Sequence, residues 1–148
     1  MALTLSQITR FLRDYPSYNV LLDSEVQFSE EEVTDAMHFA VEHYNAMTPV
    51  TMYTEDTFPN DYVFLIGTCA HLMRSEGFKQ LRNQLTYVDG DVSSIGVDDK
   101  YAAYTALKSD LAAEWKELSR GIKTQTNLEN AYGSLSSGYS RVRTGLKS

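Results

Sequence analysis

"DYVFLIGTCAHLMRSEGFKQL", residues 61–81, has no proline and is apolar through most of its length. Tyr62, Val63, Leu65, Ile66, Cys69, Ala70, Leu72, Met73 and Phe78 would surround much of the circumference of a helix. A helix apolar on most sides must be central and covered by its neighbours. The reading predicts a buried helix from about Asp61 to Leu81, around which the remaining segments pack.

The best candidate to cover it starts in "QFSEEEV". Ser29 and Glu32 have capping-box spacing: the hydroxyl accepts from the Glu32 backbone, and the carboxylate reaches back to the Ser29 N–H. Phe28 and Val33 stand where a hydrophobic staple forms. Glu30, Glu31 and Glu32 oppose the positive end of the helix dipole. Val33, Ala36, Met37, Ala40, Val41 and Tyr44 make one face, and Pro49 sets a stop near Met47.

A further helix is expected from Asp98 or Asp99 to about Arg120. Tyr101, Tyr104, Leu107, Leu111, Trp115, Leu118 and Ile122 recur at three- and four-residue spacing, with Gly121 placed as C-terminal cap. A short one covers about 4–14, with Leu5, Ile8, Phe11, Leu12 and Tyr15 as its stripe and Pro16 as its end. "QLTYVDGDVSSIGV" (84–97) reads as a β-hairpin turning at Asp89-Gly90, with Tyr87 on its first strand. A lone hairpin is marginal in water, so it must pack on its own helices or on a neighbour. The expected fold is mainly α: a small bundle of about four helices in residues 1–123, one protruding hairpin at about 84–97, and an extended C-terminal arm at 124–148.

At 148 residues the chain suits one domain with one core. No apolar run approaches the ~18–20 residues of a membrane span. "MALTLSQITRFLRDY" lacks the features of a secretory signal, which favours a cytosolic origin. The single cysteine, Cys69, reads as a buried, inert thiol. Net charge is −7, unevenly spread: residues 1–119 carry 8 basic and 19 acidic side chains, and residues 120–148 carry five and one. The acidic body argues against broad DNA binding through the phosphate backbone. A basic tail on an acidic body suits docking on an acidic neighbour, another copy included.

Catalytic and metal motifs are not found. In "HFAVEH", His38, Glu42 and His43 resemble an inverted zinc-protease pattern with one residue too many. Five residues turn a helix by about 500°, so His38 and His43 point about 140° apart. Gly67 and Gly77 stand alone, without a phosphate-loop pattern. The carboxylate pairs at Glu30–Glu32 and Asp98–Asp99 fall at helix starts, where capping accounts for them. Trp115, Tyr101 and Tyr104 read as core or packing surface rather than a base-stacking platform. No cofactor is expected, and the chain reads as a non-enzyme. Ten tyrosines, several in expected loops and the tail, suit contacts between subunits.

The segment "TQTNLENAYGSLSSGYSRVRTGLKS" (124–148) offers only Leu128, Tyr132, Leu135, Tyr139, Val142 and Leu146 to bury. Ordering backbone costs ~1–2 kcal/mol per residue, which this composition cannot offset alone. It reads as an arm that wraps a neighbouring molecule.

Several blocks carry a resemblance: "FSEEEVTDAMHFAVEHYNAMTP" (28–49), "FPNDYVFLIGTCAHLMRSEGF" (58–78), "LRNQLTYVDGDV" (81–92), "DDKYAAYTALKSDLAAEWKELSRGIKTQTNLENAYG" (98–133) and "SGYSRVR" (137–143). In pattern and order they resemble small virion proteins of tailed bacteriophages, notably the head–tail connector or adaptor proteins of the neck. The resemblance implies a helical subunit in a homo-oligomeric ring of about twelve, assembled in the host cytoplasm and located at the head–tail junction of the virion. It implies that the ring binds beneath the portal protein, that the C-terminal arms reach into the portal, and that the other face receives the next neck or tail protein. The arm residues would be Leu128, Tyr132, Leu135, Tyr139, Arg141, Val142 and Arg143. The hairpin, with Tyr87, Asp89 and Gly90, would meet a neighbour. DNA would pass through an acidic lumen without specific binding, and no membrane is involved. A tail-completion role, another virion structural role, or a non-viral helical interaction module are the alternatives.

Overall fold

The computed structural model describes residues 3–19, 22–83 and 100–132. Among the described residues there are four helices and no strand: α1 (Leu5–Leu12), α2 (Glu30–Ala46), α3 (Asp61–Asn83) and α4 (Lys100–Tyr132). The expected hairpin at 84–97 lies outside the described residues. Helix α3 is the central element, packing most extensively on α4 and also on α2, while α1 closes one end against α2 and α3.

The burial of α3 follows its composition. Val63, Phe64, Ile66, Cys69, Leu72 and Met73 are buried, and fully burying each large apolar side chain contributes about 1.5–3 kcal/mol. Asn60 starts the helix, its Oδ1 accepting from the Val63 N–H at 3.0 Å. Tyr62 and Phe78, expected within the apolar circumference, are exposed. Tyr62 lies at the margin of the α4 contact, its hydroxyl donating to Glu114 Oε1 at 2.8 Å, and Phe78 lines a groove beside α2. Burial pushes the Cys69 thiol up to about 12, so it stays protonated.

Helix α2 matches its sequence pattern residue by residue. Ser29 and Glu32 form the capping box, with Ser29 N–H donating to Glu32 Oε2 at 2.8 Å and Glu32 N–H to Ser29 Oγ at 3.2 Å. The buried face is Val33, Ala36, Met37, Ala40, Val41 and Tyr44, and the helix stops at Ala46 with Met47 as C-cap. Helix α1 has its own capping box, Thr4 with Gln7.

The expected end of α1 is corrected. Pro16 does not terminate it; a left-handed Arg13 (φ 54°) does, three residues earlier. Arg13 N–H donates to Arg10 O and Asp14 N–H to Thr9 O, a Schellman turn. What holds the turn is the buried Asp14 carboxylate, which accepts from Asn19 Nδ2 at 2.6 Å, Gln27 N–H at 2.7 Å and Phe28 N–H at 2.9 Å. One side chain thereby ties the end of α1 to the start of α2.

The end of α4 is corrected as well. Gly121 is not its cap, and residues 124–132, expected in the extended arm, are helical to Tyr132. A mid-helix glycine costs about 1 kcal/mol relative to alanine. Two contacts beyond it outweigh that. Ile122 packs on the core. The buried Lys123 ammonium donates to the Met47 and Pro49 carbonyls and lies 4.6 Å from the centre of the Tyr44 ring. Burial lowers the Lys123 pKa, yet the two carbonyls at the end of α2 are a natural seat for a cation.

Along α4 the apolar stripe holds at Trp115, which is buried, and at Tyr104, Leu111, Leu118 and Ile122, which are partly buried against the core. Leu107 is exposed. Trp115 packs directly on Gly67: a Cβ on Gly67 would lie 2.5 Å from Trp115 Nε1. Only glycine permits α3 and α4 to approach this closely around an indole.

Trp115→Ala should lose ~3–5 kcal/mol of stability by urea denaturation, the cost of a large core cavity. Gly67→Ala should lose ~1–3 kcal/mol through overpacking. Gly121→Ala, with nothing within 4 Å of its added Cβ, should instead gain up to ~1 kcal/mol. The opposite signs at two helical glycines check the account of the α3–α4 seam.

Candidate interaction surfaces

Three features of the surface stand out: the overhanging end of α4, a groove between α2 and α3, and a rigid apolar turn after α2. Of the expected arm residues, Leu128 and Tyr132 lie on the last turns of α4, 54% and 72% exposed. Leu135, Tyr139, Arg141, Val142 and Arg143 lie outside the described residues, as do Tyr87, Asp89 and Gly90 of the expected hairpin. Lys123 is the last buried residue of α4, and every residue from Asn127 to Tyr132 is exposed. Nine residues span about 13 Å of helix, so α4 runs well past its last anchor. Leu128 and Tyr132, four apart, share one face of that overhang.

The groove has a volume of about 740 Å³. Ala36 and Leu72 line its floor. The α2 wall carries Glu32, Asp35 and Glu42, and the α3 wall Arg74, Lys79 and Arg82. Phe39 of α2 and Phe78 of α3 also line it, 55% and 52% exposed. Glu76 is buried at its edge, where it accepts from Gln80 Nε2 at 2.6 Å and lies 3.7 Å from Lys79 Nζ. Arg74 sits 5.8 Å from the centre of the Phe78 ring. A groove of this kind, apolar below and oppositely charged on its two walls, fits a polypeptide segment better than a uniformly charged polymer.

At one end of the groove, His43 from α2 and His71 from α3 approach to 5.8 Å between ring centres, and His43 lies 4.6 Å from Trp115. Spacing along α2 kept His38 and His43 apart, but the encounter of His43 with His71 needs the packing of two helices. No group of three or more metal-ligating side chains occurs among the described residues. Burial, then Arg74 and Lys116, hold the His43 pKa below its ordinary value; burial, then His43 and Arg74, do the same for His71.

The turn after α2 is the third feature. Asn45 holds it: Asn45 Nδ2 donates to Tyr53 O at 2.8 Å, while Asn45 Oδ1 accepts from Tyr53 N–H and Thr51 Oγ1, each at 3.0 Å. Lys123 fixes the Met47 and Pro49 carbonyls from the other side. The contacts of Asn45 and Lys123 are not legible in the sequence, because their partners are mostly backbone groups brought close only by the fold. No helix among the described residues is long and apolar enough to cross a membrane. Comparison with protein-family models, with characterised proteins and with solved structures gives no match.

The two histidines imply a pH dependence. In the unfolded chain both titrate near their ordinary 6.5, and in the fold both sit lower. Below 6.5 the unfolded state therefore binds more protons, so stability falls as pH drops through that value and levels off beneath the folded pKa values. The urea midpoint should decrease between about pH 7.5 and about pH 5.5, above the main carboxylate range. His43→Gln with His71→Gln should remove most of that slope; an unchanged slope would contradict the assignment.

Proposed function

We propose that this chain is a structural protein of a phage neck, a ring-forming head–tail connector that docks on the portal through its C-terminal end and links it to the next neck or tail protein. The observation that carries this reading is the overhang of α4. A helix end whose last six residues are all exposed gains little from its own core, and Thr124, Thr126, Asn127 and Asn130 are weak helix formers. It nevertheless presents two large apolar side chains, Leu128 and Tyr132, on one face. Such a pair is an anchor for a partner's groove, the helix-in-groove mode of recognition. Residues 133–148 follow directly, with Arg141, Arg143 and Lys147 as their charged side chains. They extend the same contact with positive charge.

The acidic balance of the rest supports the role. A ring built from such subunits repels the phosphate backbone, so DNA passes without adhering. The long helix supports it mechanically: 33 residues in α4 make a rod of about 50 Å. Seated on α3 at Trp115 and on the end of α2 at Lys123, that rod passes load from the C-terminal end into the bundle. The role is structural rather than catalytic.

Leu128→Ala with Tyr132→Ala should weaken binding to the portal of the same particle at least ~10-fold, the usual loss at an interface hot spot. Both side chains are exposed, so the melting temperature should stay within ~1–2 °C. Deleting residues 130–148 should likewise spare the melting temperature and abolish incorporation into particles. Full-yield assembly with either variant would overturn the proposal.

A further inference from the structure

The three long helices gather positive charge at one place on a chain whose net charge is −7. A small cavity of about 60 Å³ is walled by His43 of α2, His71 and Arg74 of α3, and Lys108 and Trp115 of α4. A second cavity, of about 330 Å³, shares Arg74 and Lys108 with the first and adds Phe78, Tyr101 and Thr105. Neither cavity is lined by a carboxylate. Among the described residues, Arg74, Lys108 and Lys116 have no ion-pair partner. The carboxylates are engaged elsewhere. Glu42 and Asp35 line the α2/α3 groove, Glu76 is held by Gln80 and Lys79, and Glu114 accepts from the Tyr62 hydroxyl.

The histidines register this imbalance. After burial, the groups that hold His43 down are Arg74 and Lys116, and those that hold His71 down are His43 and Arg74. No carboxylate offsets them. Like charges around a recess repel one another, and an anion seated there relieves the repulsion.

The chemistry of the recess narrows the anion. An arginine fork and a lysine ammonium both recognise carboxylate and phosphate oxygens. Two fixed cations beside two imidazoles favour the group with more charge, a phosphoryl dianion. The cations converge on a recess between helices and are not strung along a ridge, as a duplex backbone requires. The second cavity has room for an organic substituent, with two aromatic rings and a threonine hydroxyl in its lining.

We propose that this recess binds the phosphate monoester of a small aromatic molecule. The phosphoryl group sits between Arg74 and Lys108, with His43 and His71 beside it, and the ring lies in the larger cavity against Phe78 and Tyr101. The site is independent of the neck function proposed above.

Phenyl phosphate tests this, with benzoate, inorganic phosphate and a short DNA duplex as comparisons. Added to the full-length chain, it should move the imidazole NMR signals of His43 and His71. That of His38, the third histidine, should stay in place; His43→Gln and His71→Gln assign the signals. Its Kd should be at least ~10-fold below those of benzoate and inorganic phosphate. Arg74→Gln with Lys108→Gln should raise that Kd at least ~10-fold, with the fold confirmed by thermal melting. Phe78→Ala should weaken phenyl phosphate and leave inorganic phosphate unchanged. If the double variant does not fold, the histidine shifts in the wild-type chain decide. Unmoved His43 and His71 signals, a folded double variant that binds like wild type, or benzoate bound as tightly would each overturn the proposal. Displacement of phenyl phosphate by the duplex at equal phosphate concentration would also overturn it, making the surface a nucleic-acid site.

Discussion

The indole of Trp115 lies against α3 at Gly67, where any side chain would collide with it. This contact sets how closely α3 and α4 approach and fixes the register of α4 along the bundle. It also has a polar cost: Trp115 Nε1 and Ser119 Oγ are buried without a protein hydrogen-bond partner, at roughly 1–3 kcal/mol each. The apolar packing of the seam has to exceed that. Once Trp115 is seated, Ser119 and Lys123 follow at four-residue intervals on the same face, and the ammonium of Lys123 arrives at the carbonyls that end α2.

Lys123 therefore couples two surfaces that are remote in sequence. On one side it rigidifies the turn bearing Val50 and Met52. On the other it is the last buried point of α4, and beyond it Thr126, Asn127 and Asn130 lie along the turn after α2 while Leu128 and Tyr132 are exposed. Asn45 completes the arrangement from α2, and Asp14 does the equivalent work for the connection between α1 and α2. In each case one polar side chain replaces the ladder of hydrogen bonds that a strand would provide. That is how a small helical protein keeps irregular connections in one conformation.

Helix α3 meets its two neighbours differently. Its contact with α4 is a seam closed by a glycine, whereas its contact with α2 opens into a groove. The difference lies in side-chain size and charge: Gly67 admits a neighbour, while Arg74, Phe78, Lys79 and Arg82 hold one off. His43 and His71 stand where the two regimes meet, close enough to Trp115 that their protonation bears on the packing of all three long helices.

Much of this architecture was legible along the chain. The capping box at Ser29 and Glu32, the buried face of α2 and the central place of α3 follow from local rules: a hydroxyl three residues before a carboxylate, apolar side chains at helical spacing, a helix with little polar surface. The ends of α1 and α4 were not legible, because propensity assigns them to Pro16 and Gly121. Helix α1 stops where Asp14 finds a partner 13 residues away, and α4 continues past Gly121 where Lys123 finds one 76 residues away. The overhang bearing Leu128 and Tyr132 likewise reads as extended arm in sequence and as helix in the fold. Local periodicity determined which residues share a helix face, since a side chain's place on a helix depends only on its neighbours in the chain, but Tyr62, Phe78 and Leu107 on the expected stripes stay exposed. Only the tertiary structure decided where the helices stop and which faces stay open, since those depend on polar and aromatic groups that folding alone brings within reach.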